Sequence, residues 1–296
     1  MTPASVIAMA IGSAFFFAVT EVAMRNALRT ATPMMTSPTV MAVQFVFFSA
    51  FILGTAGFSG LSLSGFLWFA VAGFFNPYLF LVFYLIGVQR IGVARSAPIK
   101  GSAPIFGVIF ALSYLGERLH PLQYLGIALI VAGVVVISTE GIGKTGDEAA
   151  GKSWKKVDAV FPLLAGVTAG VASVFFKVGM AKLPSALLGA WTSTVVGLVF
   201  FPLSALLFTA DRRFSVGLPS IPWLLLAGTS ATLAMYGFIY ALGGGQASVV
   251  LTLAQTSPLL VVLISVLFLR QLERVTPRLA IGALLTVGGG ALASLF

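Results

Sequence analysis

Apolar runs of about 20 residues follow one another along almost the whole chain. A helix needs roughly 20 apolar residues to cross a bilayer, because each residue advances it by about 1.5 Å through a hydrocarbon core of about 30 Å. The runs are bounded by glycine, proline or charge. They predict an all-α membrane protein with ten spans, at residues 5–28, 38–57, 63–87, 92–115, 121–139, 159–181, 185–209, 220–243, 247–269 and 276–295.

Composition excludes several classes of function. Apolar residues make up 59% of the 296 residues and charged residues 8%, so no soluble domain is expected. The chain has no cysteine and one histidine, His120, and we therefore predict no metal site. No Gly-x4-Gly-Lys-[Ser/Thr] loop occurs, so we predict no nucleotide cofactor. The energy for transport is therefore expected to come from ion or solute gradients. The net charge of +9 fits loops beside a membrane better than a nucleic-acid surface.

The chain contains two related copies. A segment that begins at Glu117 recurs at Glu273, with a proline and two glycines at identical spacing after each glutamate. The same offset pairs Tyr84 with Tyr240. We predict a first five-helix repeat at 1–139, a linker loop at 140–158 and a second repeat at 159–296. Because five is odd, the second repeat must cross the membrane in the opposite sense, which is how many secondary transporters form a central site.

These segments carry a family resemblance. Residues 115–133 resemble the end of an EamA repeat of the drug/metabolite transporter superfamily, residues 273–289 resemble its second copy, and Pro104 and Pro258 fit the same pattern. The resemblance implies a ten-span drug/metabolite exporter, most often of amino acids or other small metabolites. Spans 1 to 4 and 6 to 9 would surround a central cavity. The chain departs from the pattern where Arg270-Gln271-Leu272 replaces the usual Leu-Gly before the second glutamate.

Three ionisable side chains fall inside predicted spans: Glu21, Lys100 and Lys177. A charge in hydrocarbon costs about 2.5–3.5 kcal/mol on insertion scales, which makes each a functional candidate. Glu21 and Lys100 share a depth, so we predict a pair that binds a substrate ammonium or carboxylate or exchanges a proton. A structural ion pair or snorkelling side chains are the alternatives. Lys177 falls near the opposite face. Small multidrug resistance proteins, distant relatives of the resembled family, use a carboxylate in their first helix.

Polar and aromatic side chains mark two related helical stripes. In the eighth span Thr232, Tyr236 and Tyr240 share one face, and the repeat offset maps them onto Asn76, Phe80 and Tyr84 of the third span. Such a lining suits a substrate with an apolar or aromatic side chain, although tyrosines also mark membrane interfaces. The predicted substrate-binding residues are Asn76, Tyr78, Tyr84, Lys100, Tyr236, Tyr240, Gln44 and Gln255. For the two glutamines, hydrogen bonding between helices is the alternative.

Four prolines lie within predicted spans: Pro77, Pro98, Pro104 and Pro258. Each lacks a backbone donor and leaves a carbonyl that needs a new partner. We predict that they act as hinges or open the backbone toward the cavity, and simple kinks are the alternative.

The sequence as a whole predicts a secondary transporter that exports small metabolites, with amino acids of apolar or aromatic side chain as the first candidates. The alternative is a multidrug or other metabolite exporter coupled to protons through Glu21. An enzyme is not expected, because Ser59 of the short motif Gly57-Phe58-Ser59-Gly60 falls in a connecting loop. A channel would show a selectivity filter. Expected partners are the substrate and the bilayer of the plasma (inner) membrane, without nucleic acid. The chain would be a monomer, or a weak dimer through the tenth span.

Orientation is a testable consequence of the charges. Of the 17 Lys and Arg residues, 13 flank the side of the linker loop, whereas Arg118 and Lys182 alone flank the side of both termini. The positive-inside rule then places both termini outside the cytoplasm. The family resemblance implies cytoplasmic termini instead. A reporter active only outside the cytoplasm, fused after Phe296, should be active, and activity of a cytoplasmic reporter there would refute the charge-based prediction.

Overall fold

The computed structural model describes residues 2–55, 58, 60, 62–91, 96, 99–140, 156–204, 215–268 and 277–295. This part of the chain is helical, and its only β pairing is a single bridge between Ala31 and Val216. In chain order the helices are α1 (Pro3–Ala27), α2 (Pro33–Gly54), α3 (Leu63–Gly73), α4 (Phe80–Ile91), α5 (Ala103–Tyr114), α6 (Pro121–Glu140), α7 (Val160–Lys182), α8 (Ala186–Ser204), α9 (Ile221–Gly244), α10 (Ala247–Ala254), α11 (Ser257–Phe268) and α12 (Pro277–Leu295).

The number of ten crossings stays a prediction, although each predicted span overlaps one of the apolar helices. Six are long and apolar enough to cross a membrane: Pro3–Ala27, Met35–Gly54, Leu63–Ile91, Val157–Lys182, Ala186–Leu203 and Leu218–Gly244. Four shorter apolar helices occupy the remaining runs: Ala103–Tyr114, Pro121–Ile137, Ala247–Val261 and Ala280–Ala293. The chain is therefore a multi-pass membrane protein. Most of the predicted linker, at 141–155, lies outside the described residues.

The helices form two compact units that cut across the sequence copies. The first unit combines Met1–Tyr78 with Phe175–Gly244, and the second combines Leu79–Val174 with Gly245–Phe296. Two of the three boundaries fall inside apolar helices, within the third and sixth predicted spans, and the third follows the end of α9 at Gly244. Each unit therefore contains segments of both copies. The division into repeats at 1–139 and 159–296 concerns the sequence and stays a prediction for the fold.

In the first unit, α1 packs against α9 through small residues. Ser13 faces Gly237, and the hydroxyls of Thr20 and Ser230 share a hydrogen bond of 2.9 Å, so the two helices run antiparallel. A buried cluster continues this contact, with Ala23, Ala27, Val40, Leu224, Ala227 and Ala231 as its members. Small side chains let membrane helices approach closely, and this approach replaces the hydrophobic driving force that lipid does not provide.

Two equivalent pairs of spans run in opposite directions. In the first unit, α2 and α8 carry the second and seventh spans. Met41 lies beside Gly197, while Trp191 Nε1 donates to Ser49 Oγ at 3.0 Å, which is an antiparallel register. In the second unit, α6 and α12 carry the fifth and tenth spans and are also antiparallel. An inverted repeat requires this relation between equivalent spans.

The contact between α6 and α12 is close because glycines line it. A Cβ on Gly126 would lie 2.6 Å from Ala293 N and 2.7 Å from Gly289 O, and one on Gly289 would lie 2.6 Å from Gly126 O. Thr286 and Gly282 occupy the same face. This small-residue face of the tenth span thus packs within the chain, and a dimer through that span would need another face.

Two glycine substitutions test this contact. Gly126→Ala should destabilise the protein by about 1–3 kcal/mol, because the added methyl meets backbone atoms that cannot move aside easily. Gly288→Ala is the matched control, since nothing lies within 4 Å of a Cβ at this exposed position on α12. We expect the control to raise the apparent melting temperature in detergent or leave it unchanged, because alanine favours helix. Equal melting temperatures for both variants would contradict the packing.

Candidate substrate-binding site

The fourth span is broken immediately before α5. Ser102 donates to Ile99 O through both its backbone N, at 3.1 Å, and its Oγ, at 2.7 Å. Its own carbonyl accepts from Ile105 N at 2.9 Å. Pro104 follows in the first turn of α5, where its missing N–H costs no helical hydrogen bond. Ser102 thus satisfies backbone groups that the break exposes.

The ninth span is broken in the same way, between α10 and α11. Thr256 donates to Leu253 O through its backbone N, at 3.1 Å, and its Oγ, at 2.8 Å, and its carbonyl accepts from Leu259 N at 3.0 Å. Pro258 follows two residues later, in the first turn of α11. The two copies therefore share a broken-helix geometry as well as a motif. Both breaks belong to the second unit.

Three of the four predicted hinge prolines lie at these interruptions or at a third one. Pro77 lies in the π-helical turn Phe74–Leu79 that separates α3 from α4, beside Asn76, whose backbone is extended (φ −146°, ψ 115°). Pro98 lies outside the described residues. The prolines thus mark breaks in the helices, while their role as hinges stays a prediction.

Lys100 lies immediately before the break in the fourth span, and its ammonium contacts two aromatic rings of α4. Its Nζ lies 4.8 Å from the ring centroid of Tyr84 and 5.8 Å from that of Phe80. The two rings are nearly parallel, at 11°, with centroids 6.1 Å apart. The backbone of α7 adjoins the break, because a Cβ on Gly166 would lie 3.3 Å from Lys100 O. The fold therefore brings together Lys100 and Tyr84, two residues that the sequence predicted for substrate binding.

The sequence counterparts of this aromatic pair lie in the first unit. Tyr236 and Tyr240 of α9 correspond to Phe80 and Tyr84, and their centroids are also 6.1 Å apart, with the rings tilted by 34°. All four rings are half-buried. Each copy thus presents a pair of aromatic rings one helical turn apart, and in the first copy Lys100 adds a cation at 4.8 Å from Tyr84.

Other predicted binding residues differ in their surroundings. Tyr78 is buried between Phe74 and Phe200, with ring centroids at 5.4 Å and 5.6 Å. Asn76 is half-buried at the interruption of the third span, and Gln44 is half-buried on α2. Gln255 is half-buried at the end of α10, next to the break.

The predicted charged pair is divided between the units. Glu21 is exposed on α1 and Lys177 is half-buried on α7, both in the first unit, whereas Lys100 belongs to the second. Each of the three has an interaction of its own in the structure. The predicted pairing of Glu21 with Lys100 stays a prediction. Among the described residues, no group of three or more His, Cys, Asp and Glu side chains could hold a metal ion.

Two hydroxyl residues build the breaks: Ser102, for which the sequence predicted no role, and Thr256, which was expected to form hydrogen bonds between helices. Ser102 and Thr256 each precede a proline by two residues, so the recurring pattern of hydroxyl, any residue and proline was the available signal. The recurring glutamate of the repeat motif was a second signal. In the structure, Glu117 accepts hydrogen bonds from the start of α10.

These observations define a membrane protein with two equivalent copies and broken helices, and comparison identifies its family. The EamA-like transporter family matches residues 4–139 and 158–295, and the chain belongs to this family. Its members are membrane transporters of small molecules rather than enzymes. A solved protein described only as "Crystal structure of protein" shares the fold, with a TM-score of 0.76 at 20% identity over 99% of this chain and 98% of its own. Among curated proteins, none matches this sequence.

The contact between Lys100 and Tyr84 can be tested by substitution. A cation–π contact contributes about 0.5–2 kcal/mol, so Tyr84→Leu should lower the apparent melting temperature, while Tyr84→Phe keeps the ring and should lower it less. In a Lys100→Met background, Tyr84→Leu should lower the melting temperature by less, because that background has no ammonium for the ring to contact. Thermal unfolding in detergent is measured for wild type, the three single variants and the Lys100→Met/Tyr84→Leu double variant. An equal loss in both backgrounds would show that the ring does not interact with the ammonium.

Proposed function

We propose that the protein is a secondary transporter that exports small metabolites, with amino acids of aromatic or other apolar side chain as the substrate class. It would act in the plasma (inner) membrane by alternating access. The observation that carries the proposal is the ammonium of Lys100 beside the rings of Phe80 and Tyr84, at a break in a membrane helix. The cation suits a carboxylate, and the rings suit an apolar side chain.

Energetics favours a carboxylate at Lys100. A lysine inside a membrane span costs about 2.5–3.5 kcal/mol on insertion scales, and the cation–π contact is one of the interactions that offset this cost. An anionic ligand offers a stronger, charge-assisted hydrogen bond. Helix α5 begins at Ala103, three residues later, so the positive end of its dipole faces the break. Both features favour a substrate with a negative group.

Alternating access is supported by the inverted relation of equivalent spans. Spans two and seven, and spans five and ten, run antiparallel within their units. Inverted copies of one sequence can exchange two similar packings, each of which opens the site to one side of the membrane. The breaks at Ser102 and Thr256 supply points at which helices of both copies can bend.

A second candidate is a multidrug or other metabolite exporter that is coupled to protons through Glu21. The exposed carboxylate on α1, in a predicted membrane span, favours it. A proton-coupled exporter should respond to an imposed pH gradient, and Glu21→Gln should abolish that response. If export is instead driven by counterflow of substrate, Glu21→Gln should leave exchange intact.

Three substitutions test the proposed site. Lys100→Ala, Tyr78→Ala and Tyr236→Ala should each depress transport without reducing expression. For Lys100→Ala, loss of a charge-assisted hydrogen bond of about 1.5–3 kcal/mol should raise the half-saturation concentration at least about tenfold. A growth-rescue screen against toxic amino acids selects the substrate, and uptake into proteoliposomes measures the rates. Arg118→Ala, which changes an exposed charge in a loop, is the control.

A comparison of ligands sharpens this test. The amine that lacks the carboxylate should inhibit transport of the substrate only weakly. Its inhibition constant should be the same for wild type and Lys100→Ala, because only the carboxylate would contact the lysine. Unaltered transport by all three variants would remove the proposed site.

A further inference from the structure

One carboxylate of the second unit binds the start of another helix. Glu117 Oε1 accepts from Ala247 N at 2.6 Å, and its Oε2 accepts from Ser248 N at 3.2 Å and from Ser248 Oγ at 2.6 Å. These groups open α10, whose first backbone N–H groups have no partner within the helix. The negative charge also meets the positive end of the helix dipole. Glu117 is thus a helix cap supplied by a distant part of the chain.

The turn after α5 delivers Glu117 to this place. Gly116 adopts φ +65°, a conformation that favours glycine, and Glu117 N donates to Ala111 O at 3.3 Å while Leu115 N donates to the same carbonyl at 3.1 Å. The chain thereby reverses at the end of α5 and presents the carboxylate. In the second copy Leu272 stands in the position of Gly116.

Side-chain amides tie the same loop to α10 a second time. Gln246 Nε2 donates to Arg118 O at 3.1 Å, and Gln123 Nε2 donates to Gln246 Oε1 at 3.1 Å. Gln123 Oε1 in turn accepts from His120 N at 2.9 Å. The backbone carbonyl of Arg118 makes this contact, while its side chain is exposed. Two adjacent loop residues therefore hold the start of α10.

Helix α10 is suited to transmit its position to the break in the ninth span. It has eight residues, all buried, and ends next to Gln255 and Thr256. A helix this short is not stable alone, so contacts at its ends and sides decide where it lies. One such contact is Leu251 against Gly107 of α5, where an added Cβ would meet the end of the leucine side chain. About 12 Å separates the two ends of the helix.

We propose that Glu117 is a positioning residue for transport, which holds α10 so that Gln255 and the break at Thr256 keep their place. The proposal rests on the proposed function, since Gln255 belongs to the predicted substrate-binding set. Loss of the carboxylate charge of Glu117 releases the start of α10. The resulting shift of α10 displaces the break at Thr256, about two helical turns away. Glu117 itself touches no substrate.

Glu117→Gln tests the proposal, because glutamine keeps the shape but replaces one acceptor by a donor that faces Ser248 or Ala247. Transport is measured per correctly folded molecule, after size-exclusion chromatography, so a loss of stability alone does not count. We expect the half-saturation concentration to rise by roughly five- to tenfold. Ser248→Ala removes one of the three hydrogen bonds and should give a smaller rise that does not add to that of Glu117→Gln. Arg118→Ala removes a charge next to Glu117, keeps the carbonyl contact and should match wild type.

A second measurement reads the helix position without transport. The chain has no cysteine, so Gln255→Cys provides a single thiol beside the break. Glu117→Gln should change its rate of modification by a water-soluble maleimide by roughly five- to tenfold, while Arg118→Ala should leave the rate unchanged. If wild type transports none of the tested metabolites, the proposed function fails while the thiol rate still tests the positioning. Unchanged modification rate and unchanged half-saturation in Glu117→Gln would overturn the inference.

Discussion

The need to satisfy every backbone N–H and C=O within the hydrocarbon is the constraint on which this structure depends. It accounts for the helical state of the described residues, and it explains how the breaks are built. Where the fourth and ninth spans are interrupted, Ser102 and Thr256 supply the hydrogen bonds that an intact helix would have made. Irregular backbone is tolerated at membrane depth because nearby groups replace the lost bonds. Both copies therefore contain a helix break that local hydrogen bonds stabilise.

Close approach of helices is the second organising factor, and it depends on small residues. Lipid is as apolar as leucine, so packing and hydrogen bonds rather than hydrophobic burial hold the helices together. Gly126 and Gly289 bring α6 and α12 into backbone contact, and the hydroxyls of Thr20 and Ser230 join α1 to α9. Bulky apolar side chains such as Leu53 and Leu284 are left exposed on the outside of the helices, where lipid is an adequate solvent.

Duplication explains why corresponding parts look alike and where they diverge. The aromatic pairs Phe80–Tyr84 and Tyr236–Tyr240 have the same centroid spacing, but among the described residues a lysine lies within 5 Å of the first pair alone. The two copies have therefore kept the spacing of the rings and diverged in the charge beside them. Glu117 shows that the repeated motif also has a structural role, since its carboxylate caps a helix.

The sequence by itself determined the helical class, the position of the apolar spans and the duplication, because span length and motif spacing are local properties of the chain. The prolines Pro104 and Pro258 also indicated interruptions of two spans, since proline cannot donate a backbone hydrogen bond within a helix. It could not reveal that the compact units mix the two copies, that Lys100 stands against Tyr84, or that Glu117 reaches Ala247. Those relations join residues far apart in the chain, and only the packing of whole helices brings such residues together.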